Sequence, residues 1–185
     1  VLSDITTTLT QERTAGNASR SKMPPHLVNQ IIKRKIMNVR DIMTKNPITC
    51  LPTANLEEVA RLMADNNCGE IPVIRAKENP ELLGVITDRD ICCRAVAKGK
   101  NPSVTNVNDC MTSPVFTISP ESDLAKTCRT FEEKEVRRLP VVDKNSRLIG
   151  IISLADVAES APEQYAKEIL RHAGRASGVT GTTAH

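Results

Sequence analysis

The sequence predicts an α/β (α+β) protein: two β-α-β-β-α units in tandem, packed as a pseudo-two-fold pair. Three observations carry that prediction. The chain contains itself twice, for Asp41-Ile42-Met43-Thr44 returns 68 residues on as Asp109-Cys110-Met111-Thr112, and Ile71-Pro72-Val73-Ile74 returns at the same offset as Leu139-Pro140-Val141-Val142. Gly84-Val85-Ile86-Thr87-Asp88-Arg89-Asp90 then returns as Gly150-Ile151-Ile152-Ser153-Leu154-Ala155-Asp156, 66 residues on. The two-residue slip falls around Ala76–Glu81, in a loop, where insertions are tolerated. Helical and strand periodicities also alternate in the same order in both halves. Finally, a unit of about 60 residues buries too little surface alone and needs its twin.

Taken along the chain, residues 1–35 form a basic arm with a short amphipathic helix over 24–36, carried by Leu27, Val28, Ile31 and Ile32 after Pro24-Pro25. The first repeat occupies 36–99. Asn55 stands as a helix N-cap with Glu58 three residues later, and Leu56, Val59, Ala60 and Met63 follow the i, i+3, i+4, i+7 spacing of one helix face. Two strands follow, Ile71–Ile74 and Leu82–Thr87, separated by a polar turn. Asp88 opens a further helix that ends near Gly99. The second repeat, 100–160, copies this grammar: a helix after Ser122 on Leu124, Thr127, Cys128 and Phe131, then strands Leu139–Val142 and Leu148–Ser153, then a helix from Leu154. Residues 161–175 read as a C-terminal helix and 176–185 as a flexible Gly/Thr/Ser-rich tail.

Composition removes several classes of function. With 39% hydrophobic and 25% charged residues the chain is globular, and no apolar run approaches the roughly 18 residues of a spanning helix. Two Phe, one Tyr and no Trp leave no aromatic platform for stacking single-stranded bases, and oblige Ile, Val, Leu, Met and Ala to build the core. The basic surplus sits in the arm: residues 1–40 hold seven Lys/Arg against two Asp/Glu, whereas 41–160 hold fifteen against eighteen. The six cysteines form no C-x-x-C pair and lie far in sequence from His26, His172 and His185, so no metal or thioredoxin-type site is expected. They read as small buried hydrophobes of a reducing compartment. The first 22 residues lack the apolar stretch of a secretory leader, and a cytoplasmic location is expected. There is no P-loop, G-x-S-x-G or H-E-x-x-H, hence no expected enzyme.

The doubled D-I-M-T, h-P-V-h and G-h-h-[T/S]-x-x-D segments make residues 36–160 resemble the CBS domain pair (Bateman module), which occurs as stand-alone signalling proteins and as regulatory inserts. The resemblance implies non-catalytic binding of an adenosine-containing ligand between the repeats, association as a homodimer, and coupling to an effector protein. It places Thr87 and Asp90 in one pocket and Ser153 and Asp156 in the other. The chemistry is sensible, since a hydroxyl at a strand end donates to phosphate and a carboxylate three residues on accepts from a ribose diol. The glycine opening each motif leaves room for a ligand or a facing strand.

Arg89 lies inside the first motif. Arg137 and Arg138 stand where the family often places phosphate-facing bases, while the first half has Gly69-Glu70 there, so two unequal sites are expected. Cys50 and Leu51 beside Ile71 and Pro72, and Ile118 beside Leu139 and Pro140, are the candidates for adenine slots. AMP, ADP, ATP and NAD are the favoured ligands, with S-adenosylmethionine less favoured because it carries no phosphate. Plainer roles remain open: Thr87 and Asp90 as a helix cap, and Arg137 and Arg138 as a solvated face paired with Glu133 and Glu135. The alternative function is a partner-binding or nucleic-acid-associated adaptor that uses the pair as a dimerisation scaffold and takes no nucleotide. No second element supports base readout by the Lys33-Arg34-Lys35 arm.

Overall fold

The computed structural model describes residues 37–160; the expected arm, its 24–36 helix, the 161–175 helix and the tail lie outside the described residues. The chain opens with a single helical turn, α1 (Val39–Ile42), and a two-residue strand, β1 (Thr44–Lys45). Helix α2 (Leu56–Asp65) follows, started where expected by the Asn55 side chain, which accepts the Glu58 backbone N–H at 2.9 Å. Its buried face is Leu56, Val59 and Met63; Ala60 is exposed. Strands β2 (Glu70–Ile74) and β3 (Leu82–Thr87) form an antiparallel hairpin. Helix α3 then runs as one α-turn over Asp88–Asp90, widens to π-type turns over Ile91–Ala95, and closes as a 3₁₀ turn over Val96–Lys98 before Gly99.

The second half repeats this order with a 3₁₀ turn at Val107–Asp109, α4 (Leu124–Lys134), the hairpin β4 (Arg138–Val142) and β5 (Leu148–Ser153), and α5 (Leu154–Ser160). Helix α4 starts two residues after Ser122. Asp123, not Ser122, is the N-cap, its carboxylate accepting the Lys126 N–H at 2.7 Å. Ser122 instead offers its carbonyl across the molecule, as described below. The first strand of each expected unit is reduced to one parallel bridge, Cys50 to Val73 and Ile118 to Val141.

Positions related by the repeat face one another across a pseudo-two-fold axis. Leu82 N–H donates to the Ser146 carbonyl at 3.1 Å, and its counterpart Leu148 N–H donates to the Pro80 carbonyl at 2.8 Å. Glu81 and Arg147, also equivalent, bridge each other. The leading segments of the repeats change places. Val39 N–H donates to Ser122 C=O (2.9 Å) and Arg40 N–H to Pro120 C=O (3.0 Å), while Val107 N–H donates to Ala54 C=O (2.9 Å) and Asn108 N–H to Pro52 C=O (3.0 Å). Thr44 pairs with Ile151 on β5, and Thr112 with Val85 on β3.

The side chains follow the backbone. Val39, from ahead of the first repeat's helix, is buried in the second core with Leu124, Cys128, Phe131, Leu139 and Ile152. Val107 and Cys110 are buried in the first core with Leu56, Val59, Ile71 and Ile86. Each fully buried Val side chain contributes about 1.5–3 kcal/mol relative to exposure, so each core depends on residues carried by the other half's leader.

The same exchange decides which reading of the motif glycines holds: a facing strand approaches them. A Cβ on Gly84 would stand 2.5 Å from the Thr112 carbonyl oxygen; on Gly150 it would meet Met43 Sδ at 2.6 Å and the Thr44 carbonyl at 3.0 Å. Because a backbone carbonyl yields less than a thioether, Gly84→Ala should lower stability by about 1–3 kcal/mol and by more than Gly150→Ala, read from urea midpoints at equal m-value.

The cysteines differ in burial, with Cys68 between the extremes. All six are free; Cys50, Cys110 and Cys128 are buried, whereas Cys92 and Cys93 stand exposed on α3, contrary to their reading as core hydrophobes. Their side chains fall on the outer face of the widened turns, between buried Ile91 and Ala95. Burial pushes the Cys50 and Cys128 thiols up to about 12. Iodoacetamide at pH 8, followed by peptide mass mapping, should therefore label Cys92 and Cys93 in the folded protein, and Cys50 and Cys128 only after unfolding.

Candidate functional site

The inner faces of the two hairpins, with the loop that follows β1, enclose a cleft of about 310 Å³. Side chains alternate along a strand, so in β2 the residues Glu70 and Pro72 share one face and Ile71 and Val73 the other. Glu70 and Pro72 line the cleft while Ile71 and Val73 go to the first core. In β4 the alternation is the same: Arg138 lines the cleft, and Leu139 and Val141 go to the second core. From the second repeat β5 adds Ile151 and Ser153, and α5 adds Asp156. From the first repeat come Thr44, Asn46, Pro47 and Ile48 after α1, and Asn66 and Cys68 between α2 and β2.

Of the residues expected at the site, Ser153, Asp156, Arg138 and Pro72 are thus brought together. The side chains of Cys50, Ile71, Ile118 and Leu139 do not line this cleft; they are core, 0–6% exposed, because the apolar residue of each alternating pair turns to the helices. Leu51 is half-buried and Pro140 buried, and neither lines this cleft. Arg89 and Arg137 are exposed, and the Arg137 backbone carbonyl accepts the N–H of Leu154 at 3.0 Å. The pairing of halves is corrected too. Pro72 and Glu70 belong to the first repeat, yet they line one cleft with Ser153 and Asp156 of the second. Glu70 and its counterpart Arg138 therefore share one cleft. Sequence reasoning missed Ile48 and Pro47 there, although a proline just after D-I-M-T recurs in both halves.

The two motifs have the same backbone geometry and different side-chain bonding. In the first, the Asp90 Oδ2 accepts the Thr87 N–H at 3.1 Å and the Thr87 hydroxyl at 2.7 Å, while Thr87 Oγ1 accepts the Asp90 N–H at 3.0 Å. Asp90 Oδ1 is 3.3 Å from an Arg94 guanidinium nitrogen. In the second, Asp156 Oδ2 accepts the Ser153 N–H at 2.6 Å and Ser153 Oγ accepts the Asp156 N–H at 3.1 Å. There the arrangement stops: among the described residues nothing bonds Asp156 Oδ1, and the Ser153 hydroxyl proton has no acceptor. One carboxylate oxygen and one hydroxyl are thus available where the cleft opens. Among the described residues no group of three His, Cys, Asp or Glu side chains is placed to hold a metal ion.

Burial raises the Glu70 pKa; Arg138 opposes the rise and Asp90 adds to it. Below the ordinary glutamate range Glu70 is neutral in both folded and unfolded chains. As pH rises the unfolded chain ionises first, so the charge carried in the fold lowers stability. Glu70→Gln should accordingly raise the urea midpoint at pH 7 and leave it unchanged at pH 4.

A tandem α/β pair with a ligand-sized cleft between its halves is what fold and site define. The chain belongs to the CBS domain family: the CBS domain model matches residues 39–95 and again 107–163. It is 36% identical over 121 residues to the CBS domain-containing protein YhcV of Bacillus subtilis, covering 65% of this chain and 83% of that one. An uncharacterized protein of Methanopyrus kandleri is 32% identical over 126 residues, 68% of this chain but only 63% of the relative's length. Among solved structures, CBSX2 in complex with AMP superposes with a TM-score of 0.58 at 26% identity, covering 66% of this chain and 94% of that one. The CBS domain pair of a protein in complex with 5′-methylthioadenosine and S-adenosyl-L-methionine superposes at 0.60, also 26% identical, over 68% and 96%.

Proposed function

We propose that the chain is a non-catalytic sensor that binds an adenosine monophosphate-type ligand in the cleft lined by Ser153 and Asp156. The observation that carries this reading is the pair of groups at the second motif that no described residue engages. Asp156 Oδ1 takes the ribose diol, and the Ser153 hydroxyl, with Arg138, takes the phosphate. The adenine lies against Pro47, Ile48, Pro72 and Ile151, the apolar part of the lining. AMP and S-adenosyl-L-methionine in the related structures supply the adenosine precedent.

Glu70 narrows the choice. It shares the cleft with Arg138, leaving one guanidinium partly offset by a carboxylate, a balance that suits one phosphate better than three. A cleft of about 310 Å³ also lies at the lower end of ligand pockets, which favours AMP over NAD. Binding would act by preferring one relative pose of the hairpins, since both contribute to the cleft. We extend the reading to a cytoplasmic homodimer coupled to an effector protein. Free cysteines suit a reducing compartment, and no described helix is long and apolar enough to cross a membrane.

Calorimetric titration with AMP, ATP, NAD and S-adenosylmethionine tests this directly. AMP should bind most tightly, and Asp156→Ala should weaken it about 10–100-fold, the worth of a hydrogen bond to a charged group. Absence of heat with all four in folded protein would overturn the reading and leave the partner-binding scaffold. Sedimentation of the same samples reports the dimer.

A further inference from the structure

The first motif is built like the second, yet its functional groups are already spent. Four bonds converge there. The Thr87 hydroxyl, whose equivalent on Ser153 has no acceptor among the described residues, is turned onto Asp90 Oδ2 at 2.7 Å. Asp90 Oδ1, the oxygen equivalent to the unengaged one of Asp156, is paired with Arg94. The other guanidinium nitrogen of Arg94 donates to two backbone carbonyls, Cys110 at 2.9 Å and Met111 at 3.0 Å. Those carbonyls belong to the leader of the second repeat, which is itself pinned to the first core. The guanidinium is therefore held at both ends. Asp90 keeps only 12% of its side-chain surface exposed.

At the matching position of the second repeat, 66 residues on, the chain has Ser160. Its hydroxyl donates to the Asp156 backbone carbonyl at 2.9 Å and leaves the Asp156 carboxylate alone. The residue that pairs with the carboxylate in the first motif, four positions after the aspartate, is thus absent from the second. A neutral ribose diol arriving at Asp90 would have to separate a partly buried ion pair and would return no charge to either partner, so the exchange is unfavourable.

We propose that Arg94 is a built-in occupant of the first ribose position, so that each chain takes one nucleotide, at Asp156, and Asp90 serves architecture. This rests on the nucleotide-binding reading above and adds its stoichiometry and the residue that sets it. Arg94 acts as a positioning residue: it ties the Thr87–Asp90 cap to the crossing leader and keeps that carboxylate from ligand.

The test is calorimetry with AMP on the full chain, with folding checked by circular dichroism. The wild type should bind one AMP per chain. Arg94→Ser, which installs the second repeat's residue, should bind two, the new event within about tenfold of the first in affinity. Adding Asp90→Asn to Arg94→Ser should remove the new event and restore one. In the other direction, Ser160→Arg should weaken the native event at least tenfold, and it keeps the proposal testable where Arg94→Ser loses its fold. Two equivalent events in the wild type, a single event in folded Arg94→Ser, or unaltered binding by Ser160→Arg would each overturn the assignment. No binding by any variant overturns the nucleotide reading, and the assignment with it; wild-type binding with the wrong stoichiometry overturns the assignment alone.

Discussion

The structure depends on an exchange of leaders. Four backbone hydrogen bonds, Val39 to Ser122, Arg40 to Pro120, Val107 to Ala54 and Asn108 to Pro52, hold each leader against the opposite half. They deliver Val39 to one core and Val107 with Cys110 to the other. A hairpin and two short helices cannot bury enough apolar surface by themselves. Here the missing surface comes from the twin, and neither half is complete without the other's chain.

That constraint also makes the cleft. With the leaders crossed, the hairpins face each other so that repeat-equivalent residues meet, Glu81 with Arg147 and the Leu82 and Leu148 amides with the opposite turns. The loop after β1 is carried over with its leader, which is why Pro47 and Ile48 line a cleft whose polar groups are Ser153 and Asp156. Exact symmetry would have given identical sites. The sequence breaks it at Glu70 against Arg138, at Arg94 against Ser160 and at Thr87 against Ser153. Glu70 and Arg138, expected to distinguish two sites, both line the cleft described here.

What was legible in the sequence was what local chemistry writes. Strands at 71–74, 82–87, 139–142 and 148–153, the Asn55 cap and the helix stop near Gly99 all rest on periodicity or on a residue within four positions. The motif residues Ser153 and Asp156 were legible for the same reason. The leader exchange was not, because Val39 and Val107 look like any apolar residues at a helix start and their partners lie about 80 and 50 positions away. Which of the apolar candidates line the cleft was not legible either: a run such as Ile71-Pro72-Val73-Ile74 does not announce which alternate residues face the helices. The Asp90–Arg94 spacing of four was open to local reading, but the carbonyls of Cys110 and Met111 that fix the guanidinium come from the next repeat.

The crossed leaders also set an order of events during synthesis. Leu56, Val59, Ile71 and Ile86 leave the ribosome well before Val107 and Cys110, the residues that close their core. The first repeat must therefore wait, partly open, until the leader of the second has emerged. The second core has no such delay, since Val39 is waiting for it when Phe131 and Ile152 arrive. Identical architecture is thus assembled on two schedules, and the half translated first is the one exposed longest to wrong partners.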